Sequence, residues 1–201
     1  MSSTVDEAVA ALSSGALAVV PMDTVYGLVA NADSEASARK LSRAKRRADT
    51  QPVALVAADL EVLLEHVPEL RGRSATIAGA LLPGPYTLVL PNPARRYLWL
   101  AESRPDTIGV RVPKLVGPVL AVLERIGAFA ATSANLTGGA DPRTLEEVPE
   151  ALRAAAAVLI DGGPLPGTPS TVLDFTGAEP RVLREGAASS AEALRVVAQL
   201  L

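Results

Sequence analysis

Short apolar runs punctuate this chain at residues 16–20, 53–57, 87–90, 107–112, 128–131 and 158–160, and segments of helical length separate most of them. Runs this short, several rich in valine and isoleucine, have the length and composition of strands rather than helices. Their alternation with helical patterns predicts an α/β fold. No repeat, linker or change of composition divides the sequence, so residues 1–201 are expected to form a single domain. Some links between strands are too short for the helical crossover that a parallel pair needs, which predicts a mixed β-sheet flanked by helices.

Capping residues place the helices between these runs. A helix is predicted over 5–14, with Ser3 or Thr4 as N-cap and Gly15 as stop. Another runs from Ser34 to about residue 46, with Glu35 and Arg39 spaced to pair. Asp59 caps a third that ends at His66, and further helices are predicted over 71–82, 115–126 and 144–157. Ser189 or Ser190 caps the last, with Glu192 near the capping-box position. Residues 22–28 read as a polar-interrupted turn, Leu82-Pro83-Gly84-Pro85-Tyr86 as a rigid turn, and 91–105 as a surface loop in which Trp99 anchors packing. A Gly/Pro loop at 161–169 precedes two runs, 170–175 and 180–183, that could pair as a hairpin.

Composition removes several kinds of chemistry. Zero cysteines exclude disulfides, thiolate catalysis and cysteine metal sites together. A single histidine excludes a polyhistidine metal centre and argues against a serine–histidine triad; His66, just before Pro68, is expected on the surface. A net charge of −3 gives the whole molecule no field to attract nucleic acid, and 3% aromatic residues offer little stacking platform for single strands. Any RNA contact would be local, through the basic cluster at 39–47. No apolar run reaches the ~20 residues of a membrane span. The first residues carry neither a basic region nor an apolar signal core, so the chain is expected to be cytoplasmic.

The densest positive charge is Arg43-Ala44-Lys45-Arg46-Arg47, where a helical pattern breaks before the apolar run at 53. Alone, it could be a solvated helix end whose cations complement the dipole. Other polar islands follow apolar runs: Thr24 with Tyr26, Arg111, Ser133 with Asn135, Ser170 with Thr171, and Arg184. Each has an innocent role, in a side-chain turn, a cap or an ion pair. Their recurrence is the stronger signal, because strand ends of one sheet converge on one edge, where open α/β sheets bind ligands. Neither a P-loop nor a dinucleotide fingerprint is present. A nucleoside triphosphate is therefore expected in another arrangement, at the Lys45 cluster with Ser133-Ala134-Asn135.

Seven segments in order carry a resemblance: Pro21-Met22-Asp23-Thr24-Val25-Tyr26-Gly27-Leu28, Lys45-Arg46-Arg47, Pro83-Gly84-Pro85-Tyr86-Thr87 and Gly109-Val110-Arg111-Val112-Pro113, then Thr132-Ser133-Ala134-Asn135-Leu136-Thr137-Gly138, Pro169-Ser170-Thr171-Val172-Leu173-Asp174 and Leu183-Arg184-Glu185-Gly186. Together they resemble the YrdC-domain family, the L-threonylcarbamoyladenylate synthases, from about residue 5 to 187. The resemblance implies a twisted-sheet α/β domain with a positively lined concave site. It implies condensation of L-threonine, bicarbonate and ATP, with Mg2+ on the phosphates, into threonylcarbamoyl-adenylate and pyrophosphate for tRNA modification. Lys45 and Arg47 match the catalytic Lys-x-Arg pair. Ser133, Asn135, Ser170, Arg184 and Arg111 match nucleotide-binding positions, and Thr24 and Tyr26 the segment near threonine and carbamate. No protein metal ligands are implied. Implied partners are a downstream tRNA threonylcarbamoyltransferase and a weak tRNA contact; no membrane is implied.

The sequence departs from the family pattern where Met22 replaces a threonine, Ala48 a proline, and Gln51-Pro52-Val53 an ending that usually begins with lysine or asparagine. Met22 and Gln51 keep one alternative open, a divergent adenylate-forming paralogue acting on another carbamate or carbamoyl substrate; the basic cluster at 39–47 keeps another, a non-catalytic RNA-binding module.

Overall fold

A computed structural model describes residues 2–45 and 53–200. The elements in chain order are α1 (Ser2–Ser13), β1 (Leu17–Pro21), β2 (Tyr26–Asn31), α2 (Glu35–Ala44), β3 (Ala54–Ala57), α3 (Leu60–His66), α4 (Arg73–Leu81) and β4 (Tyr86–Pro91). A 3-10 turn at Leu98–Leu100 follows, then β5 (Thr107–Arg111), α5 (Pro118–Ile126), β6 (Ala128–Ser133), α6 (Glu150–Ala155), β7 (Ala156–Leu159), β8 (Thr171–Asp174), β9 (Arg181–Arg184) and α7 (Ser190–Ala198). The strands form one nine-stranded sheet in the order β7-β1-β2-β6-β3-β5-β4-β8-β9. Three of its pairings are parallel and five antiparallel, as the short links require.

The predicted caps hold where a side chain can reach the open amides of the first turn. Ser34 accepts from Ser37 N, Asp59 from Val62 N, and Ser189 from Glu192 N. Four expectations are corrected. Residues 26–31 form a full strand, paired with β1 on one side and β6 on the other, rather than part of a turn. The helix expected over 144–157 is confined to Glu150–Ala155, because Pro149 stands at its N-cap and the chain passes straight into β7. The loop at 91–105 is not all surface: Asn92, Leu100 and Ala101 are buried. Trp99 packs as expected, its Nε1 donating to Ala32 O at 3.0 Å and its ring edge-on to Tyr97. His66 is also partly buried rather than on the surface, its Nδ1 2.7 Å from the Tyr97 hydroxyl.

The two sheet faces are covered unequally, and this positions the site. One face is buried under α2, α3, α4, α6 and α7, through residues such as Leu41, Leu63, Ile77, Leu152 and Val197. The opposite face is covered by α1 and α5, whose Ala8, Leu12, Val119 and Leu123 pack on Ala18, Val20, Val29, Val56 and Phe129. Side chains alternate across a strand. Thus Leu88 and Leu90 of β4, Ile108 and Val110 of β5, and Leu173 of β8 face the five-helix side. Their neighbours Thr87, Val89, Thr107, Gly109, Arg111 and Val172 face the other side, beyond α1 and α5, and floor a cavity.

Candidate active site

This cavity has a volume of about 260 Å3. Its floor is the exposed strip of β4, β5 and β8; its walls include Met22, Val25, Ala131, Thr132, Ser133, Pro169, Ser170, Leu183 and Arg184. Hydroxyls and aliphatic groups share the lining with three arginines, Arg104, Arg111 and Arg184. Such a surface suits a ligand with both an apolar part and strongly anionic parts.

The end of β6 organises one wall. Lys45, just past α2, is only 4% exposed, yet among the described residues its ammonium has three oxygen partners: Thr132 Oγ1 at 3.2 Å, Ser133 O at 2.6 Å and Asn135 Oδ1 at 3.0 Å. Ser133 Oγ donates to the same Asn135 oxygen at 2.7 Å, and Asn135 Nδ2 donates to Gly139 O. The buried charge is therefore met by a complete set of acceptors, as burial demands. Lys45 lies one layer behind the lining, with Thr132 and Ser133 between it and the cavity. Arg47, the other member of the expected catalytic pair, falls outside the described residues, as do Ala48 and Gln51.

Arg111 ends β5 on the floor. Its Nη2 donates to Asp23 Oδ1 at 2.7 Å and lies 3.5 Å from Thr24 Oγ1, both side chains of the ion pair being about nine-tenths buried. Burial lowers its affinity for its proton; the Asp23 carboxylate opposes that shift, and the nearby Arg184 charge adds to it. Its Nε–H is buried without a protein partner among the described residues. Asp23 also accepts from Lys114 N, which ties the 22–25 turn to the segment after β5.

The opposite wall is a hairpin, β8–β9. Ser170 is 2% exposed and its hydroxyl meets Thr87 Oγ1 at 2.8 Å, across β8 and β4. Arg184 reaches back from β9, with Nε and Nη2 donating to Ser170 O at 3.0 and 2.8 Å and Nη2 donating to Ser170 Oγ at 3.1 Å. Gly186 makes this approach sterically available: a Cβ there would stand 2.2 Å from Pro169 O.

The structure thus brings Lys45, Arg111, Ser133, Asn135, Ser170 and Arg184 around one cavity. It does not bring Tyr26 there. Adjacent strand residues face opposite ways, so Gly27 lines the cavity while the Tyr26 ring is wholly buried in the core of the helix-rich face. The Tyr26 hydroxyl lies 2.9 Å from Asp161 Oδ1 and accepts from Gly162 N, clamping the loop before β8. Thr24, at 1% exposure, is likewise behind the lining, its carbonyl accepting from Gly167 N.

Four contributors were not singled out from the sequence. Asp23 and Thr132 stand beside Thr24 and Ser133 in the sequence, and Thr87 ends one of the segments that carry the resemblance. Arg104 was assigned to a surface loop. It enters the cavity from the segment before β5, with both terminal nitrogens 3.2 Å from the fully buried Asp174 Oδ2 and Nη2 also 3.2 Å from Thr176 Oγ1. Burial alone would raise the Asp174 carboxyl, but hydrogen bonds from Thr176 and the Arg104 charge outweigh it and hold the pKa below the usual aspartate value.

An open sheet face with this cationic and hydroxylic wall defines an α/β protein with a positively lined concave site. The sequence relationships are narrower. The Sua5/YciO/YrdC family model, described as telomere recombination, matches residues 10–186, and the chain belongs to that family. It is 33% identical to the threonylcarbamoyl-AMP synthase of Pyrococcus abyssi over 92% of its own length, spanning 55% of that protein. It is 31% identical to that of Vibrio vulnificus strain YJ016, covering 81% of this chain and 88% of the relative. A crystal structure of Pyrococcus abyssi Sua5 complexed with L-threonine superposes with a TM-score of 0.84 at 32% identity, over 96% of this chain and 56% of that one. Escherichia coli YciO does so at 0.81 and 27% identity, over 94% and 92% of the two chains.

Proposed function

We propose that this chain condenses L-threonine, bicarbonate and ATP into threonylcarbamoyl-AMP and pyrophosphate, in the cytoplasm, for transfer to tRNA by a separate threonylcarbamoyltransferase. The observation that carries it is the convergence of three arginines and the Lys45–Ser133–Asn135 network on the uncovered part of one sheet face, in a family whose named relatives are threonylcarbamoyl-AMP synthases.

Threonine's amine first joins bicarbonate to give a carbamate, with loss of water. A carbamate oxygen then attacks the α-phosphorus of ATP, and the bond to the β-phosphate bridging oxygen breaks. One anion approaches another, so the protein must offset repulsion and hold the attacking and leaving oxygens in line. No step needs a protein nucleophile, which suits a chain without cysteine and with its one histidine paired to Tyr97. The cations of the cavity supply the offset. Lys45, behind the wall, makes the potential at Ser133 and Asn135 more positive, which stabilises an anion there whether or not its ammonium turns to touch a phosphate. A ligand oxygen reaching Arg111 would also relieve the cost, about 1–3 kcal/mol, of an unmatched buried N–H.

No group of three His, Asp or Glu side chains able to hold a metal occurs among the described residues, and Asp23 and Asp174 are already engaged by arginines. Mg2+ would enter with the ATP phosphates and supply charge neutralisation there.

One observation favours the alternative substrate. Met22 lines the cavity and packs over Gly27, where an added Cβ would lie 3.1 Å from Met22 Cγ, so an apolar thioether stands in the wall where the family pattern has a threonine hydroxyl. Pyrophosphate release with ATP and bicarbonate, measured across all amino acids, decides. A response confined to threonine supports the proposal, a response to another amino acid supports the divergent substrate, and no response to any refutes both.

A further inference from the structure

Arg104 and Arg184 are each tied to β8, but at opposite ends of it: Arg104 to Asp174, its last residue, and Arg184 to Ser170, just before its first. Four residue steps along the strand separate these anchors by roughly 13 Å. Both arginines nevertheless line the same cavity, and Val172 of β8, with Thr87, Val89, Thr107 and Gly109, forms the floor between them. The ladder register places the wall residues as well. Ala54 is aligned with Ala131 and with Gly109, so Ser133, two residues beyond Ala131, lies toward the Thr107 end of β5. The Lys45–Ser133–Asn135 network thus shares an end of the cavity with Arg104, whereas Ser170 and Arg184 mark the other; Arg111 lies between them, its guanidinium reaching Asp23 in the turn before the strand that pairs with Ser133.

Resting on the proposed function, we infer that Arg104 is a positioning residue for the β- and γ-phosphates of ATP and for the departing pyrophosphate. In-line displacement puts threonine's carboxylate and the terminal phosphate on opposite sides of the α-phosphorus, so the reacting pair is a long body with an anion at each end. A cavity with separated cationic ends matches that body, and Arg104 is the arginine on the triphosphate side. Of its five N–H donors, three are directed to Asp174 and Thr176, which fix the planar fork. The other two have no protein partner among the described residues, and the side chain is 40% exposed. A fork pre-set in this way loses little freedom on gripping a phosphate.

The rival explanation is that Arg104 merely straps its loop to Asp174. Arg181 provides the control, because it donates to the same Asp174 oxygen at 3.1 Å but does not line the cavity. Inorganic pyrophosphate is titrated calorimetrically into wild type, Arg104→Ala, Arg104→Lys and Arg181→Ala, with melting of each recorded. The expected result is a loss of about tenfold or more in pyrophosphate affinity for Arg104→Ala, partial recovery in Arg104→Lys, and wild-type affinity in Arg181→Ala. In turnover, KM for ATP rises in Arg104→Ala while KM for threonine holds. Equal pyrophosphate affinity in wild type and Arg104→Lys or Arg104→Ala, an equal loss in Arg181→Ala, or a shift confined to threonine each overturns the assignment. Because the titration needs no turnover, it stands apart from the proposed reaction, which fails if wild type releases no pyrophosphate with any amino acid.

Discussion

Two parts of the same sheet face have opposite character. Under α1 and α5, β1, β2, β3 and β6 present Ala18, Val20, Val29, Val56 and Phe129, an apolar layer sealed from water. Beyond those helices, β4, β5 and β8 present Thr87, Val89, Thr107, Gly109, Arg111 and Val172. The reverse side of the same strands carries Tyr86, Leu88, Leu90, Ile108, Val110 and Leu173, with one hydroxyl, that of Thr171, bonded to Ala188 O, so charge is confined to the cavity face. A strand that must pack on both sides can carry only apolar residues, whereas one that floors a ligand site can carry arginine, hydroxyls and a glycine at close approach. The difference separates residues whose loss unfolds the protein from residues whose loss silences it.

Substitutions on the two parts should therefore fail in different ways. The largest effect on turnover is expected from Lys45→Ala: pyrophosphate release falls about a hundredfold or more, because charge stabilisation of the displaced phosphates is lost. Unchanged turnover would remove Lys45 from the mechanism. The largest effect on stability is expected on the sealed part, where Phe129→Ala leaves a cavity and costs about 3–5 kcal/mol, visible as a lower denaturant midpoint. On the open part, Ser133→Ala with Asn135→Ala should weaken ATP binding about tenfold by calorimetry, with only a modest fall in melting temperature, because the buried Lys45 ammonium loses Asn135 Oδ1 but keeps Thr132 Oγ1 and Ser133 O. A large loss of stability in that double variant would mean that the network serves the fold instead.

The smallest effect expected is a pH dependence. Asp174 titrates below its ordinary value in the folded chain, so its contribution is fully present above about pH 3.8 and disappears as pH falls through the lowered folded value. Acid unfolding of Asp174→Asn should accordingly show a shallower loss of stability below pH 4 than wild type. Parallel curves would contradict the role of its hydrogen bonds.

Much of this was legible in the sequence. Caps at Ser34, Asp59 and Ser189 announce helix starts because a side-chain acceptor there has a local partner, independent of the tertiary fold. The pairing of Lys45 with Ser133 and Asn135 joins residues about ninety positions apart, and came from the recurrence of polar residues after apolar runs. What escaped was non-local. β2 begins with Tyr26 and Gly27, and only its neighbours β1 and β6 make a strand of a segment that resembles a turn. Tyr26 was placed near the substrate by its neighbours in sequence, but the alternation of strand side chains turns it away from the cavity that Gly27 lines. Arg104 has no local signal, since its partner Asp174 lies seventy residues on.

The most direct test of the central claim is to supply carbon-13-labelled bicarbonate with L-threonine and ATP and to weigh the nucleotide product. A nucleotide carrying both threonine and the labelled carbon, formed by wild type and lost in Lys45→Ala, is the expected result. A threonine-bearing nucleotide without the label, or no nucleotide product beyond ATP itself, would contradict it.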